Sequence, residues 1–191
     1  MDLISIDFSG RDNGNCQKSQ NIIGEELRKS GFVLDILKIS KYHISPCSNC
    51  KYECFSKGRC CIQDDYDILI NKIINYESAL YVIPNYRGHA SSLYHIYNER
   101  MEGLDKEIKL KIKNIKKYII IIGNLNVGAD MAAHEILYDT GNDIIQNEVL
   151  SLSSREYSNK SIDGTLTSIT DVKDRLIKMA NAMISSEEKM V

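Results

Sequence analysis

Short, mostly apolar runs alternate along the chain with longer stretches of helical period, and this alternation constrains the fold more than any other feature of the sequence. Leu3 to Phe8, Val33 to Ile39, Ala79 to Ile83, Tyr118 to Ile122 and Ile144 to Leu152 read as five strands. Between the first two, Ile22, Ile23 and Leu27 share one face of a helix from about Cys16 to Ser30, which stops at Gly31. Asp64 stands at an N-cap position, and Ile68, Leu69, Ile73 and Ile74 keep a helical period after it. Ser91 to Met101 and Ala129 to Tyr138 read as helices, the second ending near Gly141. Ile108, Ile112 and Ile115 mark a further turn or two, and Val172, Leu176, Ile177, Ala180 and Ile184 a last helix. The segment 153–170 is polar and reads as a loop. Strands without a polar face are buried on both sides, which for strands alternating with helices means a parallel sheet with helices on both faces. A chain of 191 residues suits an open, doubly wound α/β sheet of five strands, whereas a closed (β/α)8 barrel needs about 250 residues. With no internal repeat and no Pro- or Gly-rich linker, residues 1–191 are expected to form one domain.

Composition narrows the function. Lys and Arg number 24 against 26 Asp and Glu, a net charge of -2, so no field of one sign dominates and the chain is not expected to bind nucleic acid or another polyanion over its whole surface. The lysines between Lys106 and Lys117 read as a solvated face interleaved with isoleucines. No apolar run reaches the length of a membrane span, and MDLISIDFSG lacks the basic head and apolar stretch of a secretory leader, so a cytoplasmic location is expected. Cysteine is the uneven component. Five of six lie between Cys47 and Cys61, in an insertion of about residues 43–63 after the second strand.

Ligands of open α/β sheets bind beyond the carboxyl ends of the strands, near the point where strand order reverses. Three loops belong there. Ser9-Gly10-Arg11-Asp12-Asn13-Gly14-Asn15-Cys16 is small and polar and runs directly into a helix, whose first N–H groups and dipole favour an anion. It has neither a Walker A motif nor GxGxxG spacing. Pro84-Asn85-Tyr86-Arg87-Gly88 offers an aromatic wall and exposed amides for a planar ligand. Gly123 to Gly128 is a third small, polar loop. Cys16 has two readings, a thiol activated by the helix start or a Thr-sized residue beneath a phosphate. His43, His89, His95 and Arg100 read as structural or solvated, His89 being the one beside a ligand loop.

The cysteine spacing is Cys47-x2-Cys50-x3-Cys54-x5-Cys60-Cys61. Thiolates this close in sequence can converge on iron–sulfur or zinc, and free thiols or a redox disulfide are the other readings.

These residues carry a resemblance. Ser9-Gly10-Arg11-x-x-Gly14-Asn15-Cys16 resembles the S-P-R-x-x-G-N-T phosphate loop of the NADPH-dependent FMN reductase and iron–sulfur flavoprotein group, in the flavodoxin-like superfamily. The stretch from Cys47 to Asp65, Pro84-x-Tyr86, and Gly123 to Gly128 resemble that group's cysteine segment, its P-x-Y loop and its third flavin loop, in the same order. The resemblance implies a flavodoxin-like fold and FMN. Ser9, Arg11, Asn13, Gly14, Asn15 and Cys16 would hold the phosphate. Pro84, Asn85, Tyr86, Arg87 and Gly88 would border the isoalloxazine, with Gly123, Asn124 and Gly128 opposite. It also implies a [4Fe–4S] cluster on Cys47, Cys50, Cys54 and Cys60, relaying electrons to or from the flavin. Zinc and Cys61 are the alternatives for metal and fourth ligand. The chain departs from the pattern at Gly10 for proline, at Cys16 for threonine, and by one extra residue between Cys50 and Cys54.

The expected function is that of an FMN-dependent oxidoreductase or electron-transfer flavoprotein with NAD(P)H as reductant and a small-molecule or redox-protein electron partner. Neither nucleic acid nor membrane is an expected partner, and no side chain is singled out as an acid or base. Family resemblance further implies a homo-oligomer, dimer or tetramer. The readings of other classes are an electron carrier without its own substrate and a thiol-based metal or redox sensor on the same fold.

Overall fold

The computed structural model describes residues 2–48, 50–124, 126–140 and 148–188. In chain order the strands are β1 (Asp2–Asp7), β2 (Val33–Lys38), β3 (Ser78–Tyr86), β4 (His89–Ala90), β5 (Lys116–Gly123) and β6 (Val149–Ser153). The helices are α1 (Asn15–Lys29), α2 (Glu53–Lys57), α3 (Tyr66–Ile73), α4 (Ser92–Arg100), α5 (Lys106–Asn114), α6 (Asn126–Thr140) and α7 (Thr170–Glu187). Five strands pair in parallel in the order β2-β1-β3-β5-β6, and β4 folds back antiparallel on β3. This is the flavodoxin-like order, with its reversal between β1 and β3.

Period two assigns the faces. Leu80 and Val82 of β3 and Tyr118, Ile120 and Ile122 of β5 pack with Ile23 and Leu27 of α1 and Leu176 and Met183 of α7. Their neighbours Ala79, Tyr81, Ile83, Ile119 and Ile121 pack on the other face with Leu69 and Ile73 of α3, Tyr94 and Tyr97 of α4 and Ile136 of α6. Both faces of the central strands are therefore dry, as their apolar runs require. At about 1.5–3 kcal/mol per fully buried large apolar side chain, these strands dominate the stabilisation.

The structure differs from the sequence reading in several places. Pro84 lies within β3 rather than closing it. The Val82 carbonyl accepts from Phe8 N at 3.0 Å, so by alternation Pro84 also faces the β1 side. There β1 has already made its last pair, Asp7 with Val82, and the missing N–H costs no ladder bond. Helix α6 begins at Asn126, which takes Asn126, Val127 and Gly128 out of the expected loop. Residues 144–147 of the expected fifth strand, and Gly141, lie outside the described residues. The polar segment after β6 contains two 3-10 turns, Ser161–Asp163 and Leu166–Ser168, of which Leu166 and Thr167 are buried. Ile68 is exposed, the inward positions of α3 being Leu69, Ile70 and Ile73. The lysine face is partly engaged, since Lys109 pairs with Glu102 and Lys116 with Glu148. Among the described residues no helix is long and apolar enough to cross a membrane.

Candidate functional site

A cleft of about 400 Å³ opens at the carboxyl ends of β1, β3 and β5, at the reversal of strand order. This lies within the range of about 300–1,000 Å³ common for small-molecule sites. Ser9, Arg11, Gly14, Asn15 and Cys16 line one end, and Pro84, Asn85, Tyr86, Gly123 and Asn124 the other. Both groups are residues that the sequence had assigned to a ligand.

The first end is built to receive an anion. Helix α1 starts after Gly14 with no side-chain cap and no acidic residue in its first turn, leaving its first N–H groups without intrahelical partners. The loop before it is held by its own bonds. Asp7 Oδ1 accepts from Ser9 N at 2.8 Å, and Ser9 Oγ accepts from Arg11 N at 3.2 Å. Asn13 takes the left-handed conformation, φ 56°, with its N–H on Gln17 Oε1 at 2.7 Å. Lys38 pairs with Asp12 and donates to Arg11 O at 3.0 Å. The Arg11 guanidinium makes no ion pair among the described residues.

Two groups beneath this loop have shifted titration. Asp7 is buried, and its Oδ2 has no hydrogen-bond partner among the described residues. Burial pushes its carboxyl up to about 6, against the opposing pull of Ser9 N and Lys38. Burial, then the Asp7 charge, push the Cys16 thiol up to about 12. Of the two readings of Cys16 the structure gives the inert one, a neutral side chain packed under the cradle. The helix start does not activate it, because desolvation of a thiolate here outweighs the dipole.

At the second end, Tyr86 presents a half-exposed ring. Gly123 is the last residue of β5, and a Cβ there would stand 2.7 Å from Asn85 Cβ. The bare backbone is what lets Asn85 close on β5, while Asn85 Oδ1 accepts from Gly88 N at 3.1 Å. Arg87 and Gly88, φ 55° and 96°, form the two-residue turn between β3 and β4, the geometry that such hairpins favour. That turn and Asn13 are not among the residues that line the cleft. The hairpin carries Arg87 and Gly88 past it, and the Asn13 N–H is spent within its own loop.

Sequence reasoning missed Ile122, Lys160, Ser161 and Ile162, which complete the lining. The last three belong to the turn at Ser161–Asp163, which is bonded to both other walls. Ser161 O accepts from Asn15 Nδ2 at 3.3 Å and Ser161 N donates to Asn124 Oδ1 at 3.1 Å. Asn15 Oδ1 accepts from Leu166 N at 3.2 Å. The Asn15 side chain thus braces this segment with one of its two Nδ2 hydrogens and with Oδ1.

The cysteine segment lies elsewhere, between α3 and the end of α4. A groove of about 540 Å³ there is lined by Lys57, Arg59, Cys60, Cys61, Asp67 and Gly103, among others, none of them shared with the first cleft. The segment hangs on a buried ion pair. Arg100 donates to Asp64 Oδ2 at 2.7 Å, to Asp64 Oδ1 at 3.3 Å and to Ser45 O at 2.8 Å, with its guanidinium 4.8 Å from the Tyr66 ring centre. Burial would raise the Asp64 carboxyl, but Arg100 and the N–H groups of Ser45 and Tyr66 outweigh it and hold Asp64 below the usual range. Asp64 thus serves the start of α3 through Tyr66 N, at 3.0 Å, from one position outside the cap. Cys60 N donates to Gly103 O at 2.7 Å, and a Cβ on Gly103 would fall 2.7 Å from Cys60 Cβ.

Cys47, Cys50, Cys54, Cys60 and Cys61 are all free thiols. Desolvation first, then Cys50, raises both Cys47 and Cys61, so these two are neutral thiols at neutral pH. No three His, Cys, Asp or Glu side chains among the described residues come together as a metal-binding group. Cys50, Cys54 and Cys60 nevertheless all lie near enough to Cys47 to act on its thiol.

No protein-family model matches the sequence. The chain is 29% identical over 101 residues to an iron–sulfur flavoprotein of Archaeoglobus fulgidus, a match covering 53% of this chain and 46% of that protein. The matched stretch thus spans less than half of the relative. Among solved structures, RosB with bound 8-demethyl-8-formylriboflavin-5'-phosphate superposes with a TM-score of 0.67 at 14% identity, covering 96% of this chain and 80% of that one. An azoreductase from Bacillus anthracis gives 0.66 at 11% identity, covering 95% and 99%. The resemblance to iron–sulfur flavoproteins read from the loops is borne out, and the fold is flavodoxin-like.

Proposed function

We propose that the chain is an FMN-dependent oxidoreductase that takes electrons from NAD(P)H and passes them to a small-molecule or protein acceptor. The observation that carries this reading is the cleft itself. An uncapped helix start beside an unpaired Arg11 faces one end, and a half-exposed tyrosine ring with a bare glycine strand end faces the other. A ligand with an anionic tail and a flat ring matches both ends. The similarity to an iron–sulfur flavoprotein, and the flavin phosphate in RosB, support FMN as that ligand.

When bound, FMN would supply the hydride and one-electron chemistry. The chain's own residues bind and orient. The first-turn N–H groups of α1 and Arg11 take the phosphate, and Ser9 Oγ stands beside them. Pro84, Asn85, Tyr86 and Gly123 would border the ring, with the bare Gly123 backbone letting Asn85 close on β5. Asp7 is neutral below about pH 6, so at mildly acid pH no like charge lies beneath the phosphate. The groove of the cysteine segment shares no lining residue with this cleft.

The test has two stages. Apo-protein titrated with FMN is expected to bind it with changed flavin absorption and quenched fluorescence, and the loaded protein to oxidise NADH or NADPH when an azo dye or quinone is present. Failure to bind FMN would refute the reading. Binding without reduction by either nucleotide would replace the enzyme with a carrier reduced by a partner protein.

A further inference from the structure

Three observations converge on the turn 160–162. It is tied at Ser161 to both strand-end walls, through Asn15 at 3.3 Å and Asn124 at 3.1 Å, and Ser161 Oγ lies 2.7 Å from Ser154 Oγ. Lys18 Nζ donates to Gly164 O at 2.6 Å, which fixes the exit of the turn against the first turns of α1. The flanking residues Lys160 and Ile162 both line the cleft. The Lys160 ammonium makes no ion pair or hydrogen bond among the described residues, unlike Lys18 and Lys38, which are engaged nearby. Ile162 is 76% exposed, a large apolar side chain facing solvent at the rim of a cleft.

We propose that this turn is a fourth wall of the flavin cleft, with Lys160 the second cation on the phosphate of the flavin nucleotide and Ile162 an apolar contact to the remainder of the ligand. The inference rests on the FMN reading above and goes beyond it, because it assigns the preference for a phosphorylated flavin to a residue far outside the phosphate loop. One arginine and an uncapped helix start would carry only part of a phosphate dianion's charge. A lysine held at the cleft by a braced turn supplies the rest without losing much freedom on binding.

Binding of FMN and riboflavin to apo-protein, read by fluorescence quenching, tests this with the wild type, Lys160→Met, Ile162→Ser and the distant control Lys173→Met. Lys160→Met is expected to weaken FMN about tenfold or more while leaving riboflavin unchanged. Its remaining FMN binding should depend less on salt. Ile162→Ser is expected to weaken both flavins by a similar factor. Equal effects of Lys160→Met on FMN and riboflavin, or an effect no larger than that of Lys173→Met, would overturn the assignment. If the wild type binds neither flavin, the FMN reading itself has failed. If it binds FMN tightly and Lys160→Met binds it equally well, that reading stands and only the fourth wall is lost.

Discussion

The cleft at the strand ends and the cysteine segment are both loops on one sheet, yet they are positioned by different means. The walls of the cleft continue β1, β3 and β5, strands buried on both faces, so their residues are placed by the stiffest part of the molecule. The cysteine segment follows the edge strand β2, whose Val33, Asp35 and Ile36 are exposed, and it carries only the five-residue helix α2. One buried pair, Asp64 with Arg100, ties it to α3 and α4. Sites grown from central strands inherit their precision, whereas a loop on an edge depends on a few polar anchors. The first region accordingly shows a ligand-sized cleft, and the second a set of free thiols on an edge loop.

The largest expected effect falls on the anchor. Arg100→Met leaves Asp64 buried and unpaired, which costs about 3–5 kcal/mol and should appear as a lowered urea midpoint. Proteolysis of native protein should speed up within residues 43–63 before it does at the cleft. Equal protection of the two regions would remove the distinction drawn between them.

Next in size is a pH effect at the cleft. Asp7 binds its proton more tightly when folded, from the ordinary 3.8 up to about 6. The folded state therefore holds more protons than the unfolded one between these values, and stability falls as pH rises through this window, by up to about 3 kcal/mol. Asp7→Asn removes the titration. Urea denaturation should show the variant gaining on the wild type from pH 4 to pH 6 and holding a constant difference above that; parallel pH profiles would contradict the burial of this charge.

A smaller effect is expected at Gly123→Ala. The new Cβ meets Asn85 Cβ at 2.7 Å, so the wall must shift. A loss of about 1–3 kcal/mol in stability and weaker FMN binding should follow, measurable together by thermal melts with and without FMN. The smallest effect is a predicted null. Cys47→Ser combined with Cys60→Ser should leave FMN affinity within about twofold of the wild type, since neither residue lines the cleft. A large loss would show that the two regions are one site.

Much of this arrangement was legible in the sequence, for a physical reason. Apolar runs such as Tyr118 to Ile122 have only one stable environment, and they announce the central strands and the loops at their ends. Ser9, Arg11, Gly14, Tyr86 and Gly123 were accessible in that way. Lys160 and Ile162 were not, because a polar 3-10 turn has no period, and its place is set by bonds such as Asn15 to Ser161 across most of the chain. Pro84 read as a strand end because the sequence does not show that β1 stops at Asp7. Asp7 read as an ordinary strand residue, although its burial is what sets its titration. For the cysteines, spacing gave proximity, but the close packing of Cys60 on Gly103 joins parts of the chain that no spacing rule relates.

The most direct test of the account is a titration of the apo-protein with FMN while the five cysteines of residues 47–61, but not the cleft residue Cys16, are alkylated and again while they are free. Saturation at one FMN per chain with the same affinity in both states is the result predicted, because the cleft holds every residue that the ligand needs. No FMN binding in either state, or binding that alkylation abolishes, would contradict it.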